Sequence, residues 1–220
     1  MSISTRSPIV ASRNDVGTAR RRRLLRTALG GALAASIVFV AGCDRGAKAF
    51  RNTDVTGSDI AKNGFELIDH SGAPRTLQDY RGKVVVVFFG FTHCPDVCPT
   101  TLVEMAETMK LLGEKADRVQ VLFVTVDPER DAPELLAKYV PAFDPRFVGL
   151  WGDPDRIART AKDFKVFYQK TQVSSSGSYS IDHTAGSYVF DPQGRLRLFL
   201  RHGAGAEPLA EDITRLLNGE

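Results

Sequence analysis

The chain has 220 residues, 43% of them hydrophobic and 25% charged, a composition that fits a globular protein with one well-filled core. Its formal net charge is +3, but residues 1–42 hold seven arginines against the single acid Asp15, so the remainder is acidic. The basicity belongs to the N-terminus rather than to a domain surface, and this excludes a nucleic-acid partner.

The first stretch with a pattern is "RRRRLLRTALGGALAASIVFVAGCD", ending at Asp44. Five arginines precede an apolar run from Ala28 to Gly42, about 15 residues, shorter than the ~20 that span a bilayer. That is the hydrophobic region of a secretory signal, and "VAGC" (Val40 to Cys43) resembles a bacterial lipoprotein box. The resemblance implies cleavage before Cys43, a lipid on its thiol and a domain held on the periplasmic face of the bacterial inner membrane. Asp44 then resembles a retention signal for that membrane. "RRRLLR" also resembles a twin-arginine signal but lacks the Ser or Thr before the pair, so export by the Sec or the twin-arginine route stays open. The expected division is a signal peptide over 1–42, a tether over 43–58 and one domain over 59–220. Residues 44–58 are polar and aperiodic, as a tether should be.

Strand and helix signals alternate through the domain. "VVVVFF" (Val84 to Phe89) is a continuous β-branched and aromatic run, the mark of a strand buried on both faces. From Pro99 to Leu112, Leu102, Ala106 and Met109 recur at helical spacing, and Gly113 supplies a stop. "VQVLFVTV" (Val119 to Val126) predicts a second buried strand, and a helix starts near Pro133 after Asp131. "RFVGLW" (Arg146 to Trp151) is a short strand. Asp153 is placed to cap a helix whose first turn holds Pro154, with Ile157, Ala161 and Phe164 on one face. "SSSGS" (Ser174 to Ser178) reads as a flexible loop. "SYVFD" and "RLRLFLR" flank the turn Pro192-Gln193-Gly194 as a hairpin, and Pro208 to Leu217 closes the chain as a helix. This order predicts an α/β sandwich of thioredoxin-like type, with a central mixed sheet and flanking helices.

Cys94 and Cys98 stand where the first long strand runs into its helix, the end at which α/β sheets place ligand sites. Helix N-terminal N–H groups there favour a thiolate. Four residues of helix rise about 6 Å, inside the Cα window of a disulfide, so the pair can hold one ion or oxidise to a local bridge. A purely structural bridge would close a very short loop and stabilise little. Disulfide oxidoreductases typically use C-x-x-C, whereas three residues separate these sulfurs. Two thiolates alone leave a metal wanting another ligand. Of the four histidines, His70 and His202 read as solvated, and His93 adjoins Cys94 with its side chain turned elsewhere. His183, in "SIDHTAG", precedes a strand expected to approach the cysteine loop, and is open to reading either as a ligand or as an ordinary loop histidine.

Among the neighbouring acids, Asp96 reads as turn chemistry. Asp127, Glu129, Arg130 and Asp131 read as helix caps and mutual ion pairs, and Asp182 either orients His183 or faces solvent. Tyr139, Trp151 and Phe164 read as core.

Taken together, "FFGFTHCPDVCPTTL" (Phe88 to Leu102), "VTVDPERDAPELLAKYV" (Val124 to Val140) and "IDHTAGSYVFDPQGRL" (Ile181 to Leu196) resemble the Sco/SenC family, with the likeness running from about Phe65 to Leu217. The resemblance implies a membrane-tethered thioredoxin-like protein that binds copper and assists assembly of the dinuclear copper site of cytochrome c oxidase. It implies Cys94, Cys98 and His183 as copper ligands and the oxidase's copper-binding subunit as partner, with other copper carriers or thioredoxin-like reductants beside it. Two soft sulfurs and an imidazole suit Cu(I), and oxidation of the pair would remove both sulfur ligands at once. The serine loop would let His183 close on the ion and release it.

The alternative is a thiol–disulfide reductase acting on oxidase-subunit cysteines through the redox-active pair Cys94 and Cys98. Against a general thioredoxin stand the wider spacing and, where thioredoxins carry a proline facing their cysteines, Ala185 or Gly186. Nothing singles out one peroxidatic thiol, which weighs against a peroxidase.

Overall fold

The structure is a computed structural model that describes residues 49–172 and 178–220. The signal peptide 1–42, Cys43, residues 44–48 of the tether and most of the serine loop lie outside the described residues. In chain order the described elements are β1 (Thr53–Asp54), β2 (Glu66–Asp69), β3 (Pro74–Thr76), β4 (Val84–Gly90), α1 (Val97–Leu112), β5 (Val119–Thr125), α2 (Pro133–Tyr139), β6 (Val148–Trp151), α3 (Pro154–Asp163), β7 (Tyr168–Gln172), β8 (Tyr179–His183), β9 (Gly186–Phe190), β10 (Leu196–Arg201) and α4 (Ala206–Leu217). Among them no helix is long and apolar enough to cross a membrane.

The two continuous apolar runs become the adjacent parallel strands β4 and β5, buried along their whole length. Around them an eight-stranded sheet assembles in the order β1-β10-β9-β4-β5-β6-β2-β3, while β7 and β8 form a separate two-stranded sheet. β6 is parallel to β5, and β9 is antiparallel to β4, so the sheet is mixed as expected. Successive residues of β4 point to opposite faces. Phe88 stacks with Phe123 of β5 on one face, at 6.0 Å between ring centroids. Phe89 meets Phe164, just beyond α3, on the other, at 5.1 Å. Both β4 rings are within 1% of full burial, each contributing about 1.5–3 kcal/mol.

Helix α1 buries Leu102, Met105, Ala106 and Met109 on a stripe packed beside α4, which buries Leu209, Ile213, Leu216 and Leu217. It stops where predicted: Gly113 takes φ 56°, a conformation that costs glycine little. Asp153 caps α3 as predicted, its carboxylate accepting the N–H of Arg156 at 2.9 Å.

The described part of the expected tether is not free. Thr53 and Asp54 pair with β10, and the fully buried carboxylate of Asp212 on α4 accepts the N–H groups of Arg51 and Asn52, both at 2.8 Å. A buried carboxylate needs such donors. That need, together with the open edge of β10, explains why a polar, patternless segment is held against the domain.

Candidate metal centre

Strand β4 ends at Gly90 because the chain must make room there. A Cβ on Gly90 would lie 2.9 Å from the sulfur of Cys98, 2.8 Å from Phe123 and 3.0 Å from Phe88. The chain then turns through Phe91 to Asp96 and enters α1. Cys94 sits in that turn, its N–H bonded to the carbonyl of Phe91 at 3.2 Å. Cys98 is the second residue of α1, and Pro99 stands in the first turn, where a missing N–H costs nothing. The Cys94 sulfur accepts the N–H of Cys98 at 3.5 Å and takes the place of a cap, since the side chain of Asp96 at the N-cap position caps no N–H.

A single carboxylate fixes the turn. Asp131, fully buried, accepts the N–H of Thr92 at 3.0 Å, its hydroxyl at 2.5 Å and the hydroxyl of Thr125 at 2.7 Å. The expectation that the acids of "DPERD" cap the next helix is corrected here: α2 is capped by no side chain, because Asp131 is spent on Thr125 and the cysteine turn, Asp127 on Arg130 and Tyr179, and Glu129 on Lys170. The expected mutual pairing does hold for Asp127 and Arg130.

His183, the last residue of β8, brings the third donor. Its Nε2 lies 3.5 Å from the sulfur of Cys98, and the two sulfurs and a ring nitrogen all fall within 4.8 Å of one another. Nδ1 is 3.2 Å from the carbonyl of Thr184, an acceptor only, so Nδ1 carries the proton and Nε2 offers its lone pair to the sulfurs. Thr184, rather than Asp182, orients the ring; the side chain of Asp182 is exposed. Phe88 and Phe91 wall the imidazole, with centroids at 6.2 and 5.9 Å.

This environment sets protonation. Burial pushes the His183 imidazole below its ordinary range, so it is neutral near pH 7. Burial pushes the Cys98 thiol well above its ordinary range, and the nearby Cys94 adds to the rise. The expected thiolate-favouring pull of the helix is therefore outweighed at Cys98: its sulfur is 0% exposed, and without a cation to replace the proton it remains a thiol. Cys94, only half-buried, is the sulfur within reach of solvent. Both cysteines are free.

Two sulfurs, one buried, and a neutral imidazole fit a soft cation of low coordination number, Cu(I) before any hard cation. The other histidines lie elsewhere. His93 is exposed beside Thr92 and Asp131, and His202 contacts Thr101 at 3.1 Å. His70 departs from the expected solvated role, since its Nδ1 accepts the N–H of Gly149 at 2.9 Å. Gly90 was the overlooked residue with a legible signal: a lone glycine closing a bulky strand marks a close approach.

The sequence profile of the family described as SCO1/SenC matches residues 53–218. The mitochondrial SCO2 homolog of Mus musculus is 34% identical over 203 residues, covering 90% of this chain and 80% of that protein. The copper-bound structure of ScoI from Bradyrhizobium japonicum is 40% identical with a TM-score of 0.65, covering 70% of this chain and 97% of that one. A SCO1/SenC family lipoprotein from Bacillus anthracis is 27% identical with a TM-score of 0.63, covering 76% and 99%. With profile, sequence and thioredoxin-like fold in agreement over most of its length, the chain belongs to the SCO1/SenC family.

Proposed function

We propose that the chain is a membrane-tethered copper carrier that takes up Cu(I) on Cys94, Cys98 and His183 and passes it to the copper-binding subunit of cytochrome c oxidase during assembly of the dinuclear copper site. The observation that carries this reading is the convergence of three soft or borderline donors within 4.8 Å, one of them buried and two half-buried. The copper-bound relative from Bradyrhizobium supports the choice of cargo. In this reading Cu(I) displaces the Cys98 proton, and the half-buried Cys94 is the face from which an acceptor's thiols take over the ion. Tethering by a lipid on Cys43, on the periplasmic face of the inner membrane, is part of the proposal; the lipoprotein relative from Bacillus supports it. Replacing Cys43 by Ser would then leave the leader uncleaved and the lipid mass absent, and a variant that still matures with its lipid would refute the anchor.

A second reading has its own observation: one accessible sulfur beside one buried sulfur is the asymmetry of a dithiol reductase. Cys94 would attack an acceptor disulfide and Cys98 would resolve the mixed disulfide, so that the pair is oxidised by two electrons and the acceptor reduced to two thiols. The deciding experiment is metal analysis of the reduced domain after Cu(I) loading, followed by mixing with a metal-free oxidase copper fragment. One bound Cu(I) per chain and its transfer support the carrier. A metal-free domain with rapid disulfide exchange overturns it in favour of the reductase.

A further inference from the structure

The two halves of the site come from different sheets. The sulfurs sit on the turn and helix that follow β4 of the eight-stranded sheet, while His183 rides on β8, whose only strand partner among the described residues is β7. A two-stranded ribbon is marginal by itself. Ile181, 4% exposed, gives it an apolar foothold, but apolar contact is non-directional and does not fix where an imidazole points.

Just past His183 the chain is held by Thr184 bonded to Phe167 and by the carbonyl of Ala185, which accepts the N–H of His202 at 3.1 Å; at the start of β8 the directional ties run to the segment 127–131. The hydroxyl of Tyr179, at the start of β8, donates to Asp127 at 2.8 Å, and the carbonyl of Tyr179 accepts Arg130 Nη1 at 2.9 Å. The Arg130 guanidinium lies 3.7 Å from the centre of the Tyr179 ring and also pairs with Asp127. Lys170 of β7 pairs with Glu129 at 2.7 Å and lies 4.7 Å from the same ring. Asp131, in the same segment, holds Thr92 of the cysteine turn by two hydrogen bonds. Asp127 and Asp131 are both fully buried, so neither tie is screened by water. The indole of Trp151 donates to the carbonyl of Pro128 at 3.0 Å and secures the segment against β6.

We infer that Asp127, Arg130 and Tyr179 are positioning residues: together with Asp131 they make 127–131 a bracket that fixes the distance between the cysteine turn and the histidine strand, and so set how long the ion is held. The inference rests on the copper reading above. None of the three is a ligand. Ligand exchange requires the imidazole to withdraw from the sulfurs, and the bracket opposes that withdrawal.

The test uses Tyr179→Phe, which deletes one hydrogen bond and leaves Asp127 paired with Arg130, and Tyr179→Leu, which also deletes the stacked ring. Release of Cu(I) to a chelator is followed by stopped flow. Amide exchange in β8 and in the cysteine turn is measured on reduced, metal-free protein. Release is expected to quicken about fivefold in the first variant and about tenfold or more in the second, the size of one hydrogen bond and of a hydrogen bond plus a cation–π contact. Exchange should quicken at Ile181 to His183 but not at Thr92 to Cys94, and the dithiol–disulfide equilibrium against glutathione should not move. Unchanged release in Tyr179→Leu overturns the inference, even with β8 loosened. So does exchange that quickens equally in both regions, which would mark a merely structural role. A parent protein that takes up no Cu(I) sinks the copper reading instead, and the exchange measurements still decide whether the bracket exists.

Discussion

The two thiols and the imidazole meet at one point but are held by opposite means. Cys98 is fully buried, its sulfur so close to Gly90 that no Cβ fits between them, and the turn carrying Cys94 hangs from a carboxylate with no solvent exposure. The half-buried His183 stands on a two-stranded ribbon tied down by a few side chains. One half is built into the core and cannot move without disturbing it; the other can be released at the cost of a few local bonds. A site that must both grip and surrender an ion is served by that division.

The largest effect should come from the rigid half. Cys98→Ala is expected to abolish stoichiometric Cu(I) binding, whereas His183→Ala leaves two sulfurs in place and should weaken it by at least about tenfold. Competition with a Cu(I) chelator measures both. Equal losses would mean that the imidazole contributes as much as a sulfur, and the contrast between the halves would fail; unchanged affinity and transfer in His183→Ala would count against the histidine as a ligand altogether.

Gly90→Ala probes the enclosure itself. The added carbon meets two aromatic rings and the Cys98 sulfur at 2.8–3.0 Å, with no flexible chain end to yield. Overpacking of this kind costs about 1–3 kcal/mol. Thermal unfolding should show that loss, and copper affinity should fall with it because the sulfur is displaced. A variant of parental stability and affinity would show that the wall around Cys98 is softer than its geometry indicates.

The contrast also explains what the sequence could reveal. β4, β5 and α1 were legible because burial on both faces of a strand, or on one stripe of a helix, imposes a periodic pattern. The sulfurs were legible because chemistry at a strand–helix junction is local. β7 and β8 were not: their residues alternate weakly, one face being covered by side chains far away in the chain. Arg130 and Tyr179 lie 49 positions apart, and Asp131 reaches back 39 positions to Thr92. The same reason hid the docking of residues 51–52 on Asp212, and the local appearance of "DPERD" as a cap was misleading for want of those partners. His183 emerged through its resemblance to the family, because nothing beside it in the sequence names the sulfur it faces.

A second edge ribbon offers a control on the idea that a buried carboxylate can hold a weak hairpin. Asp69, 4% exposed, closes the turn between β2 and β3. It accepts the N–H and hydroxyl of Ser71 at 2.8 and 2.5 Å, the N–H of Ala73 at 3.0 Å and Arg75 Nε at 2.7 Å. Burial alone would raise its pKa, but these donors outweigh it and bring the group down to about 2. Since the unfolded value is near 3.9, the carboxylate's contribution is full above pH ~4 and is lost as pH falls through about 2. Asp69→Asn should therefore cost about 1 kcal/mol at neutral pH, measured by urea unfolding, with the gap closing toward pH 2. Amide exchange in β8 should be the same in both proteins, because the tie between the two ribbons runs through β6 and the Trp151–Pro128 hydrogen bond and not through the Asp69 carboxylate. A gap that persists unchanged to pH 2 would mean that the turn is held by its backbone bonds alone. Exchange in β8 that follows Asp69 would mean that the histidine strand is coupled to the whole sheet rather than to its local ties.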